Sequence, residues 1–320
     1  MILNNLRQMA KVVAVDVGAA AGLQPHWIPF AQDLDFVLIE PDVEACKALE
    51  TFVLQHRMPR ERCLIVNAAV GRKSEVRCLY LSNARTGSSL FPFKKLDQNN
   101  YYFENNYTAD DYVFPIATEI VSTIRFGDLL SHHKVLPHLL KLDTQGSELE
   151  ILDGMDEPHW DSLCALEIEI GTPGGYIGSC SLGAVATRLE ERHFQLMDLR
   201  LARLKPIFHG GDAAAKEPFP TNDCRSKPVR QRIWEMDCAF IRDPAYVLQT
   251  RDKAQTARLV TTFVVYRLFN EALALTGRAE AIGIFDERES HAIRSDLRAA
   301  YDQMKVISQR GYDNCWDAFV

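Results

Sequence analysis

The chain has 320 residues, 47% of them hydrophobic and 25% charged, with a formal net charge of -7. Such a chain is long and apolar enough for one large or two modest globular domains with a sizeable core. The acidic balance argues against nucleic acid as the main partner, because neutralising phosphates takes clustered Lys and Arg.

The densest basic stretch, Arg225 to Arg232, reads as a solvated loop or, alternatively, as a seat for an anionic substrate group. The eight cysteines form no C-x-x-C pair and no Cys/His cluster with zinc-ligand spacing. No metal is therefore expected. Polar Asn4, Asn5, Arg7 and Gln8 precede the first apolar run, which is unlike a signal peptide, and no apolar run approaches membrane-spanning length. The expected compartment is a reducing cytoplasm.

In chain order, Val12–Val17 predicts a buried first strand. A helix is expected from Pro25, in its first turn, to about Asp33. Phe36–Glu40 predicts the second strand, stopped by Pro41. Asp42 is placed to cap a helix through about Gln55, with Val43, Cys46, Leu49 and Val53 on one face. Cys63–Asn67 reads as a third strand and Val76–Leu81 as an added hairpin strand. Residues 83–126 break this rhythm. They hold the turn Thr86-Gly87-Ser88-Ser89, then Tyr101, Tyr102, Phe103, Tyr107, Tyr112 and Phe114 among Asn and Asp. An insertion of this kind is a lid or binding loop, or else an excursion packed on the surface.

The rhythm resumes with a strand at Leu139–Asp143. Ser147 and Glu150 form a capping-box pattern, with Gly154 as a helix stop. Strands follow at Leu163–Ile170, Phe194–Leu199 and Ile233–Ile241, with a helix at about Leu182–Arg192 and a Gly/Pro loop over 206–228. Beyond Pro244 the pattern turns helical, with amphipathic stripes over Ala254–Leu275 and His291–Ser308. The expected division is a domain over 1–244 and a helical extension over 245–320, whose stripes would form a homodimer contact or bury against the sheet domain.

Two strand ends carry the chemistry. In Asp16-Val17-Gly18-Ala19-Ala20-Ala21-Gly22, the glycines let the backbone bend tightly and approach a ligand. Glu40 ends the next strand 24 residues after Asp16, where an acid bonds ribose hydroxyls in nucleotide-binding folds. Ala20 stands where a pyrophosphate fingerprint needs glycine, which suits a nucleoside cofactor without phosphates. The second strand end is Asp143-Thr144-Gln145-Gly146. In a doubly wound sheet both ends lie over one crevice.

With Glu40-Pro41-Asp42, Asn67-Ala68-Ala69-Val70-Gly71, Gly87-Ser88-Ser89-Leu90 and Leu140 to Gly154 in this order, the chain resembles the FkbM-type family of S-adenosylmethionine-dependent methyltransferases over about 12–242. The resemblance implies an α/β class I methyltransferase fold, Rossmann-like, with a seven-stranded, mostly parallel sheet and an antiparallel hairpin at one edge. It implies that Asp16, Gly18, Ala19 and Gly22 surround the methionine part of S-adenosylmethionine. Glu40, with Pro41, would meet its ribose, and Asn67 and Ala68 its adenine. Asp143 would lie below the transferring methyl. The acceptor implied is a hydroxyl of a sugar, glycan or natural product, with S-adenosylhomocysteine as product.

A hydroxyl acceptor needs a general base within reach of its proton. Asp143 is the first candidate, or else it caps the next helix or orders the site by hydrogen bonds. Glu148 is a second polar site residue or a favourable charge at a helix N-terminus. Glu167 and Glu169 share one face of a buried strand, where acids need partners or a function. Glu169, nearer the crevice, is a base, a substrate contact or a structural partner. His209 is a base or a solvated loop residue. Asp143, Glu148 and Glu169 together would also suit a divalent ion, which the resemblance does not require. Two rival functions stand beside methyl transfer: nicotinamide-dependent oxidoreduction, which Ala20 disfavours, and a non-catalytic binding or assembly protein on the same fold.

Overall fold

A computed structural model describes residues 1–56, 58–93, 101–103, 115–171, 176–206 and 232–309. In chain order the elements are α1 (Asn4–Met9), β1 (Val13–Val17), β2 (Asp35–Ile39), α2 (Val43–Gln55), β3 (Cys63–Val66), β4 (Ala69–Gly71), β5 (Glu75–Ser82), β6 (Tyr101–Phe103), β7 (Pro115–Arg125), α3 (Phe126–His132), β8 (Leu139–Leu142), α4 (Glu148–Asp153), α5 (Glu157–Ser162), β9 (Ala165–Gly171), α6 (Leu182–Glu190), β10 (Phe194–Pro206), β11 (Arg232–Arg242), α7 (Pro244–Thr250), α8 (Lys253–Val265), α9 (Phe269–Ala281) and α10 (Glu287–Gln309).

The main sheet has the order β3-β2-β1-β8-β9-β11-β10, with three-residue β6 added beyond β10. β3, β2, β1, β8 and β9 are parallel; β11 runs antiparallel to both its neighbours. This is the expected seven-stranded, mostly parallel class I methyltransferase sheet. Strand order reverses between β1 and β8, so their carboxyl ends flank the crevice where doubly wound folds bind ligands.

Both faces of the sheet are covered, which is why its central strands read as apolar runs. Val15, Val17, Leu140, Leu142, Leu166 and Ile168 pack on one face with Phe126, Leu129, Ile151 and Val185 from α3, α4 and α6. Ala14, Leu139 and Ala165 face the other side, under Trp27, Phe30 and helices α8–α10. Ala257, Val260, Phe263 and Val264 of α8 and Ile293, Leu297, Ala300 and Met304 of α10 are buried in that same core. Most of both stripes is thus buried within the chain, while Leu273 stays half exposed. Among the described residues no helix is long and apolar enough to cross a membrane.

The structure departs from the sequence reading in four places. No α-helix follows Pro25: only turns and a single 3-10 turn at Ile28–Phe30 form, because Pro29 lies where a helix would need its N–H. The insertion is narrower than 83–126, since Pro115–Arg125 is a strand. It pairs with β5 on one side and β4 on the other, making a separate sheet β4-β7-β5, so β5 finds its partner far along the chain. The capping box at Ser147 does not form: the Ser147 hydroxyl donates to Thr144 Oγ1 and Glu150 pairs with Arg77. The Ala254–Leu275 stretch is two helices, broken where Arg267 takes a left-handed φ of 59°. The readings of Tyr107, Tyr112, Phe114 and His209, and of the loop over 206–228 beyond Pro206, lie outside the described residues.

Candidate active site

The crevice at the ends of β1 and β8 is built from backbone. Gly18 has φ 84°, a left-handed conformation that favours glycine. Its N–H donates to Ile39 O, which ties the turn to β2. A Cβ on Gly18 would stand 1.9 Å from Asp143 O, so the two strand ends touch through a position only glycine can fill. Gly22, with φ 91°, closes the turn against the Phe52 ring.

A cavity of about 260 Å³ opens from this contact. Asp143, Thr144, Val17 and Gly18 line one end; Glu40, Pro41, Asp42 and Val43 lie beside it, with Ala68, Ala69 and Val70. The separate sheet closes the far wall with Leu79, Leu81 and Val121, and the loop after β5 adds Ser88 and Leu90. The expected site residues Gly18, Glu40, Pro41, Ala68 and Asp143 therefore share one cavity. Asp16, Ala19, Gly22 and Asn67 stand behind its wall.

Each of these four is fixed differently. Ala19 is buried in a 3-10 turn. Asn67 spends its side-chain amide on Glu40 O and Pro41 O, at 3.0 and 2.8 Å, and so shapes the acidic turn. Asp16 is fully buried, and among the described residues neither carboxylate oxygen accepts a hydrogen bond. Burial raises its pKa to about 6, against the pull of Lys141.

Glu40 is buried with Oε1 accepting from Asp42 N at 2.8 Å. Asp42 in turn caps α2 through Glu44 N and Ala45 N, as the sequence predicts. Burial pushes the Glu40 carboxyl up to about 7, and the Asp42 and Ala20 amides only partly offset this.

A second group of polar side chains crosses four strands on the face opposite Val15 and Val17. Asp16 and Lys141 are paired in register, and so are Lys141 and Glu167. Lys141 Nζ lies 3.0 Å from Asp143 Oδ2 and 3.9 Å from Asp16 Oδ1. It also donates to the Gln24 amide at 3.0 Å, and that amide donates to Glu167 Oε1 at 3.3 Å. Burial disfavours the Lys141 charge, but Asp143, Asp16 and Glu167 together hold its pKa above the ordinary value. Glu167 meets His26 at 3.3 Å and Arg200 at 3.5 Å, and burial raises its pKa to about 8. This answers what the acid does on a buried strand: it is a structural partner.

Glu169 points elsewhere. Its carboxyl meets that of Asp143, and the Gln145 amide donates to both, to Asp143 Oδ1 at 3.0 Å. Burial alone would raise the Asp143 carboxyl; Lys141, Glu169 and Gln145 hold it below its ordinary value. Burial and the charge of Asp143 push Glu169 well above its own. Glu148 is not part of this group. Its Oε1 collects Thr144 N, Thr144 Oγ1 and Gly146 N, at 2.9 to 3.0 Å, and it orders the turn. The trio Asp143, Glu148 and Glu169 therefore does not converge on one point, and no group of metal-ligating side chains occurs among the described residues.

Sequence reasoning passed over Lys141, Gln145 and Tyr176. The signal for Lys141 was present, since a lysine within Leu139–Leu142 must be buried and paired. Tyr176, whose hydroxyl donates to Gln145 Oε1 at 2.7 Å, carried no local signal.

No curated protein matches the chain. Among solved structures it is similar to a methyltransferase FkbM from Methylobacillus flagellatus, with 14% identity and a TM-score of 0.38 over 72% of this chain and 43% of that one. The present chain thus spans under half the length of that protein. It is also similar to M. capricolum TrmK in complex with S-adenosylhomocysteine, with 7% identity and a TM-score of 0.35 over 95% of this chain and 97% of that one. A precorrin-6y C5,15-methyltransferase from Geobacter metallireducens gives 10% identity and a TM-score of 0.34 over 76% of this chain and 86% of that one. The family model named methyltransferase FkbM domain matches residues 16–196, more than half of the sequence, and the chain belongs to that methyltransferase family.

Proposed function

We propose that the chain transfers a methyl group from S-adenosylmethionine to a hydroxyl of a sugar, glycan or natural product. The observation that carries this reading is the single cavity joining Asp143 and Gly18 to Glu40 and Ala68. The residues fit the cofactor. Gly18 lines the cavity, and its missing side chain lets Asp143 at the end of β8 close against it. Glu40 is a buried acceptor for two ribose hydroxyls, and no phosphate needs a seat. Val43, Ala68 and Leu81 offer an apolar slot for a flat base. Asp16, buried without a hydrogen-bond donor, suits an ammonium group nearby.

When bound, the cofactor supplies a methyl on a sulfonium sulfur, an electrophile that needs no further activation. The chain's own task is to align the acceptor oxygen, exclude water and take one proton. Asp143, at the cavity end and held ionised by Lys141, is the base for the acceptor hydroxyl. Glu169 and Tyr176 are joined to Asp143 through the Gln145 amide.

Titration calorimetry with S-adenosylhomocysteine, NAD and NADP tests the reading. Saturable binding of S-adenosylhomocysteine alone supports it. Binding of NAD or NADP in its place moves the chain to hydride-transfer chemistry.

A further inference from the structure

The turn Asp143-Thr144-Gln145-Gly146 carries an unusual residue. Gln145 has φ 57°, a left-handed conformation that few residues other than glycine adopt. Strain of this kind persists only where the surroundings over-determine it. Here they do. Ser89 Oγ donates to Gln145 O at 2.6 Å. Gly146, with φ 116°, packs so closely that a Cβ would come within 3.2 Å of the Tyr176 and Ser179 side chains. Glu148 gathers the amides on both sides of Gln145.

The side chain is fixed as firmly as the backbone. A tyrosine hydroxyl has one proton; that of Tyr176 has Gln145 Oε1 at 2.7 Å and Gly87 O at 3.1 Å within reach, and the shorter contact sets the amide's orientation. The amide nitrogen must then face the other way. Its two N–H groups are directed at Asp143 Oδ1 and Glu169 Oε2. Two carboxyls in mutual contact cannot both be ionised without strong repulsion.

We propose that Gln145 is a positioning residue whose amide locks Asp143 and Glu169 together so that the pair holds one proton between them. The surroundings decide where that proton sits. On the Asp143 side stands Lys141 from β8, with Asp16 of β1 beyond it. On the Glu169 side stand Glu235 and Asp237 of β11, the latter bound to Arg200 of β10 at 3.0 Å. Asp143 is the ionised member and Glu169 the protonated one. The site then presents a base and a hydrogen-bond donor side by side. Their use on a hydroxyl acceptor rests on the methyl-transfer reading above; the shared proton does not.

The test is a carboxyl carbon-13 NMR titration of the full chain without cofactor, with Glu169→Gln and Asp143→Asn to assign the signals. In the native protein the Glu169 carboxyl is expected to titrate well above the ordinary carboxylate range and Asp143 to stay ionised through that range. In Gln145→Leu both carboxylates lose an N–H donor that favours their ionised form, so the upper transition rises by about one pH unit or more, a tenfold gain in proton affinity. Tyr176→Phe, which removes the hydroxyl that meets Gln145 Oε1 and Gly87 O, shifts it in the same direction and decides the matter should Gln145→Leu not fold. A native Glu169 that titrates with ordinary carboxylates overturns the proposal. So does a folded Gln145→Leu, or in its place Tyr176→Phe, with an unmoved transition. S-Adenosylhomocysteine calorimetry on the same samples separates the two readings: native protein that fails to bind it contradicts methyl transfer and leaves the titration result standing.

Discussion

A Cβ on Gly18 would lie 1.9 Å from the carbonyl oxygen of Asp143. The two strand ends that define the crevice are therefore in van der Waals contact through a missing side chain. Gly18→Ala is expected to destabilise the fold twice over. The left-handed backbone costs about 1–2 kcal/mol for a residue with a Cβ, and overpacking adds about 1–3 kcal/mol. Urea denaturation should show the loss, and calorimetry a matching loss of S-adenosylhomocysteine binding. A variant with native stability and affinity would mean that the turn relaxes freely.

Lys141 is the one cation within 4 Å of both Asp16 and Asp143 among the described residues. Lys141→Met leaves buried Asp16 and partly exposed Asp143 without a counter-charge, a change that for a fully buried pair typically costs about 3–5 kcal/mol. The sign with pH follows from proton binding. Without Lys141 the folded-state carboxyl pKa values rise above their unfolded values, so the folded state binds more protons than the unfolded one. The penalty should therefore be small near pH 4 and grow as pH rises. Urea denaturation of the variant and the native chain across that range reads it directly; a pH-independent difference would contradict the pairing.

Glu40 supplies the ribose contact of the proposed cofactor site. Glu40→Ala should weaken S-adenosylhomocysteine binding by roughly 1.5–3 kcal/mol, the range for hydrogen bonds to charged groups. In the free protein burial holds this carboxyl near a pKa of about 7. Accepting two hydroxyl protons favours the ionised form, so affinity should be full above that pH and fall below it. Glu40→Gln should flatten the profile. Native binding that strengthens toward acid pH would place the ribose elsewhere.

His138 gives a second pH signature, unconnected with the site. Its Nδ1 accepts from Val13 N at 2.9 Å, which requires the neutral ring. Burial, with help from the charge of Arg258, lowers its pKa from 6.5 to about 3. The folded pKa lies below the unfolded one, so this stability is complete above about pH 6.5 and is lost as pH falls toward 3, at about 1.4 kcal/mol per pH unit. His138→Asn, which keeps an acceptor but cannot titrate, should show a shallower acid slope in urea denaturation. Equal slopes would assign the acid loss to the carboxylates.

What the sequence made legible was what its residues do locally or in simple periods. Asp42 caps α2 because a cap acts within three residues. The β1 and β8 runs showed themselves as apolar stretches ending in acid and glycine, and so the crevice could be located. What escaped depends on partners far along the chain. Ser147 and Glu150 have the spacing of a capping box, yet Thr144 and Arg77 claim their side chains first. β7 looked like part of an insertion because its partners in β4 and β5 lie 33 to 54 residues upstream. Gln145 read as one letter of a motif; its weight comes from Tyr176, 31 residues on.

The most direct test of the central claim is a crystal structure of the full chain with S-adenosylhomocysteine. The account predicts the ribose hydroxyls on Glu40, the base between Ala68 and Leu81, and the sulfur at the end of the cavity beside Asp143 and Gly18. A ligand bound with its sulfur remote from Asp143, or its ribose away from Glu40, would contradict it.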